Sequence, residues 1–195
     1  MNNYEKRTLK KKEAIIDSAL ALFGRQGFSN VSIKDIASSA KVSQVSIYNY
    51  FGSKESLVQE CAKVIMNDTI KLAEDILDSD LTFTKKIEKA LSLCNSQINI
   101  SLAKYLSAKA LDDTQFVNLV TKDINSLKKE IYMKYVTHGK QEKIISDISD
   151  DAIQLFIDAI NSIGSSIPEV EMEERQSEIV RLFLYGLIGT PTKSL

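Results

Sequence analysis

Ser43-Gln44-Val45-Ser46 is followed one turn later by Tyr48-Asn49-Tyr50, so small and hydrogen-bonding side chains crowd one short stretch. A serine hydroxyl at a helix start accepts from a backbone N–H two or three residues on, and Ser43 therefore reads as an N-cap. An amide side chain just behind such a cap presents a donor beside an acceptor. That pair matches N6 and N7 of adenine in the major groove of DNA, which makes Gln44 the base-reading candidate. Val45 and Ser46 are small enough to approach a thymine methyl or a phosphate. The Tyr48 hydroxyl would reach a phosphate or a base, and Asn49 and Tyr50 flank it, Tyr50 serving either contact or packing.

These side chains need a scaffold, and the apolar spacing supplies one. A helix is expected over residues 10–25, with Ile15, Ala19, Leu22 and Phe23 on one face. Gly27-Phe28 then gives the left-handed stop and apolar contact of a helix end. Ser32 opens the next helix with Asp35 three residues on, a capping box with aspartate in place of glutamate, and this helix can run only to about Ala40. After Lys41-Val42, the helix begun by Ser43 ends at Gly52. Two helices of about two turns joined by about three residues make a helix-turn-helix, whose second helix enters the major groove. Ile33, Ile36, Ala37, Val42, Ile47 and Phe51 are assigned to its core.

Ser53-Lys54-Glu55 caps a longer helix reaching about Leu77. Further helices are expected at about 84–99, 103–111, 114–137, 150–165 and 171–188. With two prolines and seven glycines in 195 residues, the punctuation that an all-β chain needs at every turn is missing. The fold expected is all-α with about nine helices: a head at residues 1–54 on a larger helical body at 55–195.

Charge divides the same way. Residues 1–54 hold nine basic side chains (Lys6, Arg7, Lys10, Lys11, Lys12, Arg25, Lys34, Lys41, Lys54) and four acidic ones (Glu5, Glu13, Asp17, Asp35), although the whole chain carries a net charge of −1. A basic head on an acidic body suits a polyanion partner. Lys6, Arg7 and Lys10 to Lys12 read as an arm or first turn adding phosphate contacts. The acidic body argues against an architectural DNA protein, which would spread positive charge widely.

Enzymatic and metal readings find no support in the motifs. There is one histidine, His138, in a loop end, with no Cys-x-x-Cys, no H-E-x-x-H and no glycine-rich phosphate loop, so no metal and no cofactor are expected. Cys61 and Cys94 lie far apart in apolar helical patterns and read as reduced, buried thiols of a cytoplasmic protein. No apolar stretch approaches the length needed to cross a bilayer, and the polar N-terminus carries no secretory h-region.

Ile15-Ile16-Asp17-Ser18-Ala19, Leu22-Phe23, Gly27-Phe28 and Val31 to Ala37, then Ala40 to Ser43, Ile47 to Phe51 and Ser53 to Leu57, resemble in order the tetracycline-repressor (TetR/AcrR) family of bacterial regulators. The resemblance implies that Ser32 and Lys54, at two helix starts, bind backbone phosphates, aided by the positive helix ends. Lys41 departs from the pattern, because the family commonly has glycine in that turn. A lysine at positive φ costs about 1 kcal/mol relative to glycine.

The resemblance also implies a homodimer on a palindromic double-stranded DNA operator, formed by the last two helices as a four-helix bundle. Leu155, Phe156, Ala159, Ile160 and Ile163, with Ala152, form one apolar stripe, and Ile179, Leu182, Phe183, Gly186 and Leu187 the other. The middle helices would sense a small-molecule inducer through Cys94, Gln97, Ile98, Tyr105, Phe116, Val120, Tyr132 and Tyr135, which mix apolar surface with polar handles. The function expected is therefore a ligand-responsive repressor. Transcriptional activation, or a ligand-independent architectural role, is the alternative on the same fold.

Overall fold

The computed structural model describes residues 2–145 and 148–164 with Glu178, Leu182 and Gly186, apart from the side chains of 93–95 and 160–164. The elements are α1 (Asn3–Gln26), α2 (Ile33–Ala40), α3 (Gln44–Phe51), α4 (Lys54–Leu77), α5 (Phe83–Tyr105), α6 (Ala108–Leu111), α7 (Thr114–Gln141) and α8 (Asp150–Gly164), with no strand among the described residues. The all-α expectation holds. Of the helix expected at 171–188, Glu178, Leu182 and Gly186 are described and are helical; the rest lies outside the described residues.

Where a cap fixes the end, sequence and structure agree. Ser32 and Ser43 cap α2 and α3, and Gly52 closes α3 at φ 78°. Three boundaries differ, and one of them is that of α7, which runs on to Gln141 and so places His138, expected at a loop end, in its last turn. α1 starts well before residue 10, because the Asn2 side chain accepts from the Glu5 amide at 2.8 Å while Glu5 accepts from the Asn2 amide at 2.9 Å. α5 continues to Tyr105 and takes the first three residues of the helix expected at 103–111, since no breaker interrupts Ile100-Ser101-Leu102-Ala103. Ser107 then restarts the chain as α6, accepting from the Ala110 amide.

Packing groups the chain into two compact units. The first is Met1–Asp68 with Ile98–Ile124, the second Thr69–Gln97 with Asn125–Leu195. In the first, α1 buries Ile15, Ala19, Leu20 and Phe23. The Phe23 ring lies 5.7 Å from that of Phe28 and 5.9 Å from that of Phe116, within the range of favourable tilted aromatic contacts. Burying a ring of this kind contributes about 1.5–3 kcal/mol.

The end of α1 is held by the chain around α6. Ser107 donates its amide to the Gly24 carbonyl at 2.8 Å and its hydroxyl to the Arg25 carbonyl at 3.1 Å. A Cβ at Gly24 would overlap the Tyr105 carbonyl oxygen. Cys61 is buried in this unit, and loss of hydration pushes its thiol up to about 12, which makes it an inert packing residue.

In the second unit, the Tyr135 hydroxyl donates to the Ala73 carbonyl at 2.7 Å, and buried Lys86 caps the end of α4 by donating to the Leu77 carbonyl at 2.6 Å. Phe83 stacks on His138 at 6.2 Å. α8 turns Ile153 and Ile157 inward and leaves Leu155 and Phe156 71% and 41% exposed. No described helix is long and apolar enough to cross a membrane.

Candidate nucleic-acid interface

α2, its turn and α3 lie in the first unit. In α3 the inward residue is Ile47, 1% exposed, and α3 packs on α2, whose buried residues are Ile33, Ile36 and Ala37. Val42 and Phe51, expected in this core, are half-buried. With Ile47 fixed inward, helical geometry sends Val45 and Asn49 to the far side and Tyr48 to the flank, while Gln44 opens the helix in its first position. All four are exposed, Val45 by 66% and Tyr48 by 52%. Two large side chains left in water beside an amide make a surface with hydrogen-bonding and apolar character but no core function.

The caps shape the rim. The Ser43 hydroxyl accepts from the Ser46 amide at 3.1 Å and lies 2.9 Å from the Ser46 hydroxyl. Ser32 is exposed; its hydroxyl donates to Asp35 at 2.6 Å, and its amide does so at 2.9 Å. Those two bonds hold the Asp35 carboxyl below the usual carboxylate range. Lys41 adopts φ 55°, ψ 44°, so the strain anticipated for a side chain in this left-handed position is present. Its return is the tight α2 ending in which the Val42 amide reaches the Ala37 carbonyl at 3.0 Å. Tyr50 is half-buried, with the Lys12 ammonium 5.7 Å from its ring centre.

Lys54 sits differently from its neighbours. Its Nζ donates to the Phe28 carbonyl at 2.6 Å and lies 3.9 Å from the Phe28 ring centre. Desolvation there pulls its ammonium below the usual lysine range. It fastens the α1–α2 loop to the start of α4, a role in which the carbonyl and the ring share its charge.

Asp113 was not anticipated from sequence. It precedes α7, accepts from the Phe116 amide at 3.0 Å, and also accepts from the Ser29 amide at 2.7 Å and the Ser29 hydroxyl at 3.2 Å. It fills the space where a Cβ on Gly27, φ 80°, would be. The only available signal was an Asp before a helix, which reads as an ordinary cap. Burial raises its carboxyl, but the amides of Ser29, Phe116 and Gln115 and the Ser29 hydroxyl outweigh burial and leave it below the usual range. A carboxyl lowered in the folded state stabilises above its unfolded value, about 3.9, and loses that stabilisation as pH falls through the lowered one. Asp113→Asn is therefore expected to cost about 1 kcal/mol at neutral pH. Its melting temperature should converge with that of the parent as pH falls through the lowered value of the Asp113 carboxyl; a gap independent of pH would refute the charge-based role.

The residues expected to sense a ligand divide between the units: Ile98, Tyr105, Phe116 and Val120 in the first, Cys94, Gln97, Tyr132 and Tyr135 in the second. Ile98, Phe116, Val120 and Tyr135 are buried, while Gln97, Tyr105 and Tyr132 are half-buried. The Cys94 side chain lies outside the described residues. Phe116 belongs to the Phe23 cluster, and Tyr135 has its hydroxyl on Ala73. Of the expected dimer stripes, Leu155, Phe156, Ala159, Leu182 and Gly186 are exposed, with Gly186 close to the Phe156 ring. The side chains of Ile160 and Ile163, and residues Ile179, Phe183 and Leu187, lie outside the described residues.

Comparison with known proteins bears on this surface directly. Residues 15–61 match the family model described as bacterial regulatory proteins, tetR family, a span that contains α2, α3 and the start of α4. The chain is 26% identical over 155 residues to the HTH-type transcriptional repressor KstR2 of Rhodococcus jostii, covering 75% of this chain and 74% of that protein. It is 33% identical over 73 residues to the HTH-type transcriptional regulator LuxR of Vibrio harveyi, covering 37% and 36%. The chain thus spans about three quarters of the first relative and about a third of the second. A crystal structure of a transcriptional regulator from Cytophaga hutchinsonii shares the fold at a TM-score of 0.56 and 18% identity, over 91% of this chain and 98% of that one. The outward face of α3 thus lies within a segment, residues 15–61, that is similar to the tetR family of bacterial regulatory proteins.

Proposed function

We propose that the protein is a ligand-responsive repressor that binds a palindromic operator as a homodimer, with residues 1–54 as the DNA-binding head and 55–195 as the sensing and dimerising body. The observation that carries the DNA reading is the exposure of Gln44, Val45, Tyr48 and Asn49 in α3 while Ile47 is buried. Gln44 reads an adenine, Val45 and Ser46 approach a methyl or phosphate, and Tyr48, Asn49 and Tyr50 extend the contact. Ser32 and Ser43 hold phosphates at the helix starts. Lys54 reaches a phosphate only by releasing the Phe28 carbonyl, so it adds less to affinity than a free surface lysine would. Repression is favoured by the name of the relative that matches most of the chain, a transcriptional repressor.

An inducer would act by preferring a dimer whose heads are spaced wrongly for the operator. Half-buried Gln97 and Tyr132 are the candidates for its polar contacts. Exposed Leu155, Phe156, Ala159 and Leu182 support the dimer.

Selection of bound DNA from a random pool tests the reading. A two-fold symmetric site should emerge, and Gln44→Ala should lose discrimination at one base pair in each half, worth about 1–3 kcal/mol. Enrichment of no site at moderate salt would sink the proposal.

A further inference from the structure

The first turns of α1 project beyond the core. From Asn3 to Ala14 no residue is buried, and Ile15 is the first that is. Those twelve residues extend the helix by about 18 Å. The reciprocal Asn2 and Glu5 caps, 2.8 and 2.9 Å, fix where it begins, so this segment is a formed rod.

Its charge does not serve its own stability. Lys6, Arg7, Lys10, Lys11 and Lys12 face only Glu5 and Glu13 within the overhang. Lys6 with Lys10, Arg7 with Lys10 and Arg7 with Lys11 are like-charge neighbours at three- and four-residue spacing, which weakens an isolated helix. They also crowd the positive end of the helix, where cations are disfavoured. Among the described residues no ion pair relieves Lys6, Arg7, Lys10 or Lys11. A polyanion laid along this rod would turn each of these repulsions into attraction.

The position of the rod selects the polyanion. Lys12, at its base, stands over Tyr50 at 5.7 Å, so the overhang leaves the head beside the end of α3. We infer that residues 3–12 are a second phosphate-binding element, which holds the DNA backbone flanking the bases that α3 reads. The inference rests on the DNA-binding function proposed above. The contact is with phosphates only, so it adds affinity and salt dependence without changing the sequence preferred.

The test is a full-length variant carrying Lys6→Gln, Arg7→Gln, Lys10→Gln and Lys11→Gln. Its binding is titrated against salt on the selected site and on a duplex of unrelated sequence. Operator affinity should fall about 10- to 100-fold, and the log–log salt slope should become shallower by roughly 2 to 4 units for each head. The selected sequence should stay the same, and the melting temperature should hold or rise. An unchanged slope on both duplexes overturns the inference, even where the parent selects a clear site. If the parent selects no site, the function fails separately, and the slope on the unrelated duplex still decides the role of the overhang. Loss of binding to vesicles containing phosphatidylserine, with DNA binding intact, would also overturn it and assign the rod to a membrane surface.

Discussion

Leu155→Glu combined with Phe156→Glu is expected to give a folded monomer that binds operator at least about 100-fold more weakly. Both side chains lie on the outer side of α8, 71% and 41% exposed, while Ile153 and Ile157 of the same helix carry its packing at 2% and 1%. Carboxylates in place of the pair would leave buried Ile153 and Ile157 in position, while the Phe156 ring beside Gly186 would be lost. Across a two-fold interface the same four carboxylates would meet each other, a juxtaposition that costs several kcal/mol. With the dimer lost, each head binds alone and forfeits the effective concentration supplied by the other, which is worth about 10²–10⁴ in affinity. Sedimentation or light scattering, together with operator titration, reads both effects. A dimer that survives the double substitution would place the interface elsewhere.

Gly24→Ala is expected to be the most damaging single methyl in the DNA-binding unit. An alanine in mid-helix normally gains about 1 kcal/mol over glycine. Here the added carbon would overlap the backbone carbonyl oxygen of Tyr105, which is held in place because Ser107 donates to the Gly24 carbonyl next to it. Overpacking typically costs about 1–3 kcal/mol, and the upper end applies against backbone that cannot swing aside, so a net loss of about 2 kcal/mol remains, a fall in melting temperature of about 4–8 °C for a chain of this size. Gly52→Ala is the control. A Cβ there meets nothing within 4 Å and carries only the strain of φ 78°. Equal melting temperatures for the two variants would refute the close-approach argument.

Much of the head was legible because its determinants are local. Ser32 with Asp35, and Ser43 followed by Gly52, each write a boundary within a few residues. The spacing of Ile33, Ile36 and Ile47 then fixes which side faces inward, and hence that Val45 and Asn49 face outward. The start of α1 was also written locally, in Asn2 and Glu5, but a polar, lysine-rich stretch hides a cap that no apolar periodicity follows. The contacts of Gly24, Ser107 and Asp113 could not be read, because they join residues more than eighty positions apart and nothing in a lone glycine or aspartate names its partner. Lys54 illustrates a further limit. A lysine at a helix start looks the same in sequence whether its ammonium points to solvent or, as here, onto a ring and a carbonyl.

The stretch from Ile98 to Ile124 completes the unit that contains α2 and α3, and this sets the order of events during synthesis. A nascent chain that has emerged only as far as Phe51 already bears its basic, DNA-facing surface, yet Phe23 still lacks Phe116 and Ser29 still lacks Asp113. At about 5–20 residues per second, the ribosome supplies those partners roughly 3–13 seconds later. During that interval the first unit lacks part of its packing, so synthesis of residues 98–124 sets when the fold around α2 and α3 can be completed.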